Sequence, residues 1–194
     1  MRNDPPDLPV YSVGNPSEDG ADPTLYATRL FERLRPELLR FAYWLARDRS
    51  IAEDVVQEAL LRAWRARGAL KEAAAARGWL LTIVRREHAR LYERKRLETT
   101  DLHDAIATDD SRLAAAESGE LEDLHAALLQ LADEYRVPLV MQVLGGFTTA
   151  EIASELAISP AAVLTRLFRA RNKLRVIYGL PDVTTTTTDP ETSP

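Results

Sequence analysis

A chain of 194 residues, 45% of them hydrophobic, is long enough to bury one core or two small ones. It has no cysteine, which excludes disulfide staples and thiolate metal sites; His88, His103 and His125 stand in separate segments without ligand spacing, so no metal, no cofactor and no metalloenzyme chemistry is expected. The net charge of −5 argues against a uniformly basic nucleic-acid binder but conceals a patterned one, because residues 28–96 carry 17 basic against 9 acidic side chains between acidic stretches at 1–27 and 97–117.

Residues 1–23, opening MRNDPPDLPVYSVGNPSEDG, have no apolar signal core and too little hydrophobicity to offset the entropy of ordering, so a flexible arm is expected. From Tyr26 to Arg47, Leu30, Phe31, Leu34, Leu38, Phe41, Ala42 and Leu45 recur at three- and four-residue steps and draw a helical stripe. Pro36 predicts a kink or boundary within it. Ser50-Ile51-Ala52-Glu53 has the form of a capping box, opening a second helix through Val55, Val56, Ala59, Leu60, Ala63 and Trp64 that Gly68 would stop.

A third helix carries Trp79, Leu80, Ile83, Val84, His88 and Leu91 before dissolving into Glu93-Arg94-Lys95-Arg96. Trp44, Trp64 and Trp79 read first as core. Between Arg85 and Arg96, six basic residues meet only Glu87 and Glu93. Trp79 and Tyr92 beside Arg85, Arg86, Arg90 and Arg94 mix stacking rings with phosphate-binding cations, a combination suited to a nucleic-acid strand held open. Asp54 and Glu58 lie one helical turn apart, but no histidine, cysteine or glycine-rich phosphate loop joins them. They read as an acidic docking edge, there are no catalytic residues, and the chain is expected not to be an enzyme.

Residues 97–117 are acidic and weakly hydrophobic, as in a flexible interdomain linker with a helical turn near Ser111. Four short helices follow, at about 118–131, 134–144, 149–156 and 160–177. Thr148 with Glu151 forms a second capping box, Ala157-Ile158-Ser159 a turn, and Ser159-Pro160 an N-cap with proline at the first helical position. This is the layout of a helix-turn-helix: Ile152, Ala153, Leu156, Ile158, Val163 and Leu167 share a small core, while Ala161, Ala162, Thr165, Arg166, Arg169 and Lys173 face outward toward base edges and phosphates. Arg166 to Arg175 holds five basic residues and no acid. The tail from 181 is threonine-rich, and a solvated tail is expected.

The fold class is therefore all-α, with two small helical domains at 24–96 and 118–180 joined by the linker. No run approaches the roughly 18 apolar residues of a membrane span, so a soluble, cytoplasmic protein is expected.

In the order of these parts, the chain resembles the extracytoplasmic-function (ECF) sigma factors of the sigma-70 superfamily over about residues 25–178. RPELLRFAYWLARDRSIAEDVVQEALLRAW looks like the family's segment for binding core RNA polymerase. That resemblance implies contacts from Asp54, Gln57 and Glu58 around Val55 and Leu61. ARGWLLTIVRREHARLYERKR is similar to the part that melts and captures the minus-ten promoter element. It implies minus-ten roles for Arg85, Arg86, Arg90 and Arg94, with 68–76 as the loop that takes a flipped base. LHAALLQLADEYRVPLVMQVLGGFTTAEIASELAISPAAVLTRLFRARNKLR looks like the domain that reads the minus-thirty-five element, assigning that task to Ala161, Ala162, Thr165, Arg166, Arg169 and Lys173. Partners implied are core polymerase, promoter DNA and an anti-sigma factor. The chain departs from the family pattern at Arg85-Arg86 and Arg90, where an Arg-Asn pair followed by Asp is common. Ala157 replaces a turn glycine, and Leu164 and Phe168 stand where Lys or Ser and His are frequent. A stand-alone helix-turn-helix regulator is the alternative, but it would not need the IAEDVVQEALLRAW surface.

Overall fold

The computed structural model describes residues 23–46, 48–70, 73–98 and 119–180, with no strand among them. They form two compact units. The first contains α1 (Pro23–Leu45), α2 (Arg49–Arg65) and α3 (Ala73–Glu98); the second contains α4 (Gly119–Leu129), α5 (Asp133–Val143), α6 (Thr149–Leu156) and α7 (Pro160–Ile177). The chain is thus all-α. The expected arm, linker and tail lie outside the described residues except at their edges, where α1 begins at Pro23 and α3 continues to Glu98.

In the first unit the three helices pack pairwise on one another. The α1 stripe is buried as its spacing predicts, through Leu30, Phe31, Leu38, Phe41, Ala42 and Leu45. Between α1 and α3, α2 buries Ile51, Ala52, Val55, Val56, Ala59 and Ala63, three alanines among six, so the helix axes can approach closely. Pro36 neither ends nor divides α1. Pro36 and Glu32, whose carbonyl its ring crowds, are both exposed, so the unpaired backbone group faces water while the apolar residues of the opposite face hold the helix together.

Four further expectations change. The N-cap of α2 is Asp48, whose Oδ1 accepts from the Ile51 amide at 2.7 Å, and Ser50 sits inside the helix. Glu53 closes no capping box; it pairs with Arg49 at 2.8 Å. Gly68 is not the stop, because α2 ends at Arg65 and a 3-10 turn spans Arg67–Ala69. Of the 68–76 loop, the part from Ala73 is already helix. Finally α3 does not dissolve after Leu91 but runs to Glu98. From Trp79 to Val84 every residue of α3 is buried, Leu81 and Thr82 included, because α1 and α2 cover it from different sides. Trp44 and Trp79 are core, Trp79 meeting Phe31 with ring centroids 6.3 Å apart, whereas Trp64 is half-buried with the Arg67 guanidinium 4.7 Å above its ring.

The second unit gathers Leu139, Val140 and Met141 of α5, Phe147, Ile152 and Ala153, and Val163, Leu167 and Ala170 of α7. Leu156 and Ile158 are half-buried at its edge. Arg136 is wholly buried and donates to Asp133 at 2.6 Å, tying down the start of α5. Gly145 lies where a Cβ would come within 2.6 Å of the Met141 carbonyl, so only glycine lets this turn close. The Thr148 capping box is formed in both directions: Thr148 Oγ1 accepts from the Glu151 amide at 3.2 Å and Glu151 accepts from the Thr148 amide at 2.7 Å. Ser159 caps α7 by accepting from the Ala162 amide at 3.1 Å, with Pro160 first in the helix.

Between α6 and α7 the chain reverses at Ala157, which is left-handed (φ 52°, ψ 44°), and the Ile158 amide donates back to the Ala153 carbonyl at 3.0 Å. That six-to-one bond is a Schellman closure, a position where glycine avoids the Cβ penalty. Ala157→Gly removes a strain of about 1–2 kcal/mol and adds roughly 0.4–1 kcal/mol of unfolded-state entropy. A net gain of stability is expected, read as a higher urea midpoint at unchanged slope; a lower midpoint would contradict the strain.

Candidate functional site

Three surfaces carry the residues singled out above. The first lies between α1 and α2, a cleft of about 430 Å³ lined by Phe31, Leu60, Leu61 and Trp64 and rimmed by Glu32, Glu53, Asp54 and Gln57, with Arg35 and Thr28 completing it. Leu61 is 45% exposed. Asp54 and Gln57 are exposed beside it and Glu58 is half-buried one turn on. Val55 departs from the expectation: at 3% exposure it belongs to the unit's own core, because α3 packs on that side of α2. An apolar partner therefore finds Leu61, Leu60 and Trp64, with carboxylates around them.

The second cleft, about 590 Å³, lies between α2 and α3 and is lined by Asp54, Val55, Glu58, Arg62, Glu87, Arg90, Leu91 and Arg94. At its base Glu87, with a side chain only 7% exposed, pairs with Arg62 Nε at 2.9 Å and accepts from Arg90 Nη1 at 2.8 Å on the same oxygen. Arg62 Nε also reaches Glu58 at 3.1 Å. Arg86, Arg90 and Arg94 follow at four-residue steps along α3, while Arg85 sits a step around it. Arg85 and Arg86 are half-buried, and Arg90 and Arg94 are exposed. The arginines thus share a helix but not one environment. Of the two rings beside them, Trp79 lies in the core, the reading given to it first, and Tyr92 packs against His88 at a centroid distance of 4.5 Å.

Arg62 and Glu87 were not singled out from the sequence. The spacings Glu58–Arg62 and Glu87–Arg90 are ordinary helical ion-pair spacings and could have flagged them. Nothing local shows that Arg62 and Glu87 meet.

The third surface is the outward side of α7. Ala161, Thr165, Arg169 and Lys173 are exposed, while Ala162 and Arg166 are half-buried. Arg166 lies nearer the packed edge than Arg169, so the two arginines are not equivalent. Thr165 Oγ1 donates to the Ala161 carbonyl at 3.0 Å. Lys173 Nζ stands 5.4 Å from the Tyr135 ring centroid, and Arg171 donates to Gln142 at 2.6 Å, so α5 fixes the far end of the basic row. Leu164 and Phe168 are exposed among these residues.

Among the described residues no cluster of histidine, aspartate and glutamate is arranged to hold a metal ion, and no helix is long and apolar enough to cross a membrane.

A helical bundle followed by a separate helix-turn-helix unit is the organisation of a sigma-70-type protein. Residues 30–98 match the family model for sigma-70 region 2, and residues 121–174 match that for sigma-70 region 4. The chain is 35% identical over 156 residues to the ECF RNA polymerase sigma factor SigL of Mycobacterium tuberculosis, covering 76% of this chain and 85% of that protein. It is 35% identical over 139 residues to the probable RNA polymerase sigma factor RfaY of Xanthomonas campestris, covering 68% of this chain and 35% of that protein. The sigma factor RpoE of Bartonella quintana, solved with the anti-sigma factor NepR, shares the fold with a TM-score of 0.63 at 24% identity, over 80% of this chain and 98% of that one. The chain belongs to the ECF sigma factors of the sigma-70 superfamily. It is an alternative sigma factor, acting in promoter recognition and transcription initiation, and sigma factors are regulatory rather than enzymatic proteins.

The Glu87 cluster makes a direct prediction. Glu87→Gln preserves shape and removes the charge, and both arginines, being part-exposed, can then hydrate. The expected loss of stability is toward the low end of the roughly 1.5–3 kcal/mol carried by hydrogen bonds to charged groups. It would be read as a lower urea midpoint with unchanged circular dichroism at low denaturant; an unmoved midpoint would show that the cluster does not hold α2 to α3.

Proposed function

We propose that this sigma factor divides its work among the three surfaces. The α1–α2 cleft docks on core RNA polymerase, with Leu61 as apolar anchor and Asp54, Gln57 and Glu58 as polar rim; Val55 supports the face from beneath. The arginines of α3, Arg85, Arg86, Arg90 and Arg94, hold the minus-ten element, and α7 enters the major groove at the minus-thirty-five element. In domain terms, 24–96 is the polymerase and minus-ten domain, 97–117 the linker and 118–180 the minus-thirty-five domain, with an arm and a tail outside them. The protein performs no catalysis of its own and works in the cytoplasm, where polymerase and promoter are. An anti-sigma factor is a further partner, supported by the Bartonella quintana RpoE structure, which was solved with one.

The observation that carries the reading is Leu61, 45% exposed at a cleft with Leu60, Trp64 and Asp54 beside it. A large apolar side chain flanked by carboxylates on a packed helix fits the centre of a protein interface, with charges at its rim. A stand-alone regulator has no use for that face.

The test is assembly with core polymerase. The wild-type chain should co-purify with it, and the double variant Leu61→Ala, Gln57→Ala should bind at least about 30-fold more weakly, as expected when a central anchor worth about 2 kcal/mol is truncated. Both side chains are solvent-facing, so the variant should unfold at the wild-type temperature. Undiminished affinity in a folded variant would remove this surface from the interface.

A further inference from the structure

Leu164 and Phe168 are 58% and 53% exposed, four residues apart on a helix whose buried face is Val163, Leu167 and Ala170. Single exposed apolar residues are ordinary, but this pair has a particular setting. At about 100° per residue, Ala161, Thr165 and Phe168 form the strip opposite the buried face, with Leu164 alongside. The hydroxyl within that strip is turned back onto the helix, since Thr165 Oγ1 donates to the Ala161 carbonyl at 3.0 Å. Flanking the strip are Arg166, Arg169, Arg171, Lys173 and Arg175, and α7 contains no acidic residue.

The surface thus asks for a partner that is anionic at its edges and apolar along its centre. The major groove of DNA fits: phosphates line its rims, and the apolar group on its floor is the 5-methyl of thymine. We propose that Leu164 and Phe168 are specificity-determining residues that read thymine methyl groups in the minus-thirty-five element. This deepens, and rests on, the assignment of α7 to that element. Arginine supplies affinity and contacts to guanine; the apolar pair supplies a preference for thymine that carries no charge and is insensitive to salt.

The test uses holoenzyme reconstituted from core polymerase and the full chain. A preferred promoter is selected from a library randomised over the minus-thirty-five element, and each thymine on either strand is then replaced by deoxyuridine, which lacks only the methyl. Transcription should fall about fourfold at a contacted position, the factor expected for one buried methyl group. In Phe168→Ala or Leu164→Ala holoenzyme that sensitivity should disappear at the matching position. Both residues are exposed, so folding should be intact, as a thermal melt would check. If deoxyuridine has no effect while Arg169→Ala still lowers transcription, the methyl contact is refuted and the promoter role of α7 stands. If neither matters, both are refuted. If Phe168→Ala lowers transcription equally on thymine and deoxyuridine templates, the pair meets a protein and the inference is overturned.

Discussion

A carboxylate taken out of water must be compensated on the spot, and Glu87 is compensated by arginines from two helices. Arg90 comes from its own helix one turn on, and Arg62 from α2. Because Arg62 also holds Glu58, the ion pairs run continuously from α2 to the cation row of α3. The cluster sits just beyond the stretch from Trp79 to Val84 where α3 is buried on every side. Apolar packing sets the position of α3, and the Glu87 cluster ties Arg90 of α3 to Arg62 of α2. A shift of α3 along its axis would have to break both at once.

The second unit solves a similar problem without a buried anion cluster. Its last helix, α7, is aimed by backbone closures: the Thr148 box, the left-handed Ala157 and the Ser159 cap lie within twelve residues. Two of these satisfy helix ends that would otherwise expose unpaired amides. Apolar contact then comes from Ile152, Ala153, Val163, Leu167 and Ala170 together with the buried residues of α5, and the outward side of α7 is left for other uses.

That difference explains which parts were legible in the sequence. The caps of α6 and α7 depend on residues three positions apart, so Thr148, Glu151 and Ser159 announced them. At α2 the reading from Ser50 missed the cap at Asp48, whose earlier start puts Ile51 and Ala52, both buried, in the first turns of the helix. The break expected at Pro36 follows the rule for an isolated helix and fails for one whose proline faces solvent and whose far side is packed. Leu81 and Thr82 fell outside the stripe because a one-face periodicity cannot describe a helix covered by two neighbours. The same cause misplaced Val55: on α2 alone it shares a surface with Asp54, and only the position of α3 decides that it is core. Glu87 and Arg62, 25 positions apart in sequence, meet only in the folded unit.

The partners that hold the exposed cations bear on how an acidic protein can bind DNA. Arg90 rests on Glu87, Lys173 over Tyr135, and Arg171 on Gln142. Each contact restricts a long side chain that would otherwise lose rotamer entropy on meeting a phosphate. At these exposures such contacts are individually weak, so exchanging them for a phosphate carries a small penalty. The protein thereby orders its cations without neutralising them irreversibly. Net negative charge opposes loose association of the free chain with DNA. Once polymerase holds one surface against the promoter, the effective concentration of the next overcomes that opposition. Charge placement of this kind favours DNA contact within the holoenzyme over contact by the chain alone, and it does so with surface residues that the two cores leave free.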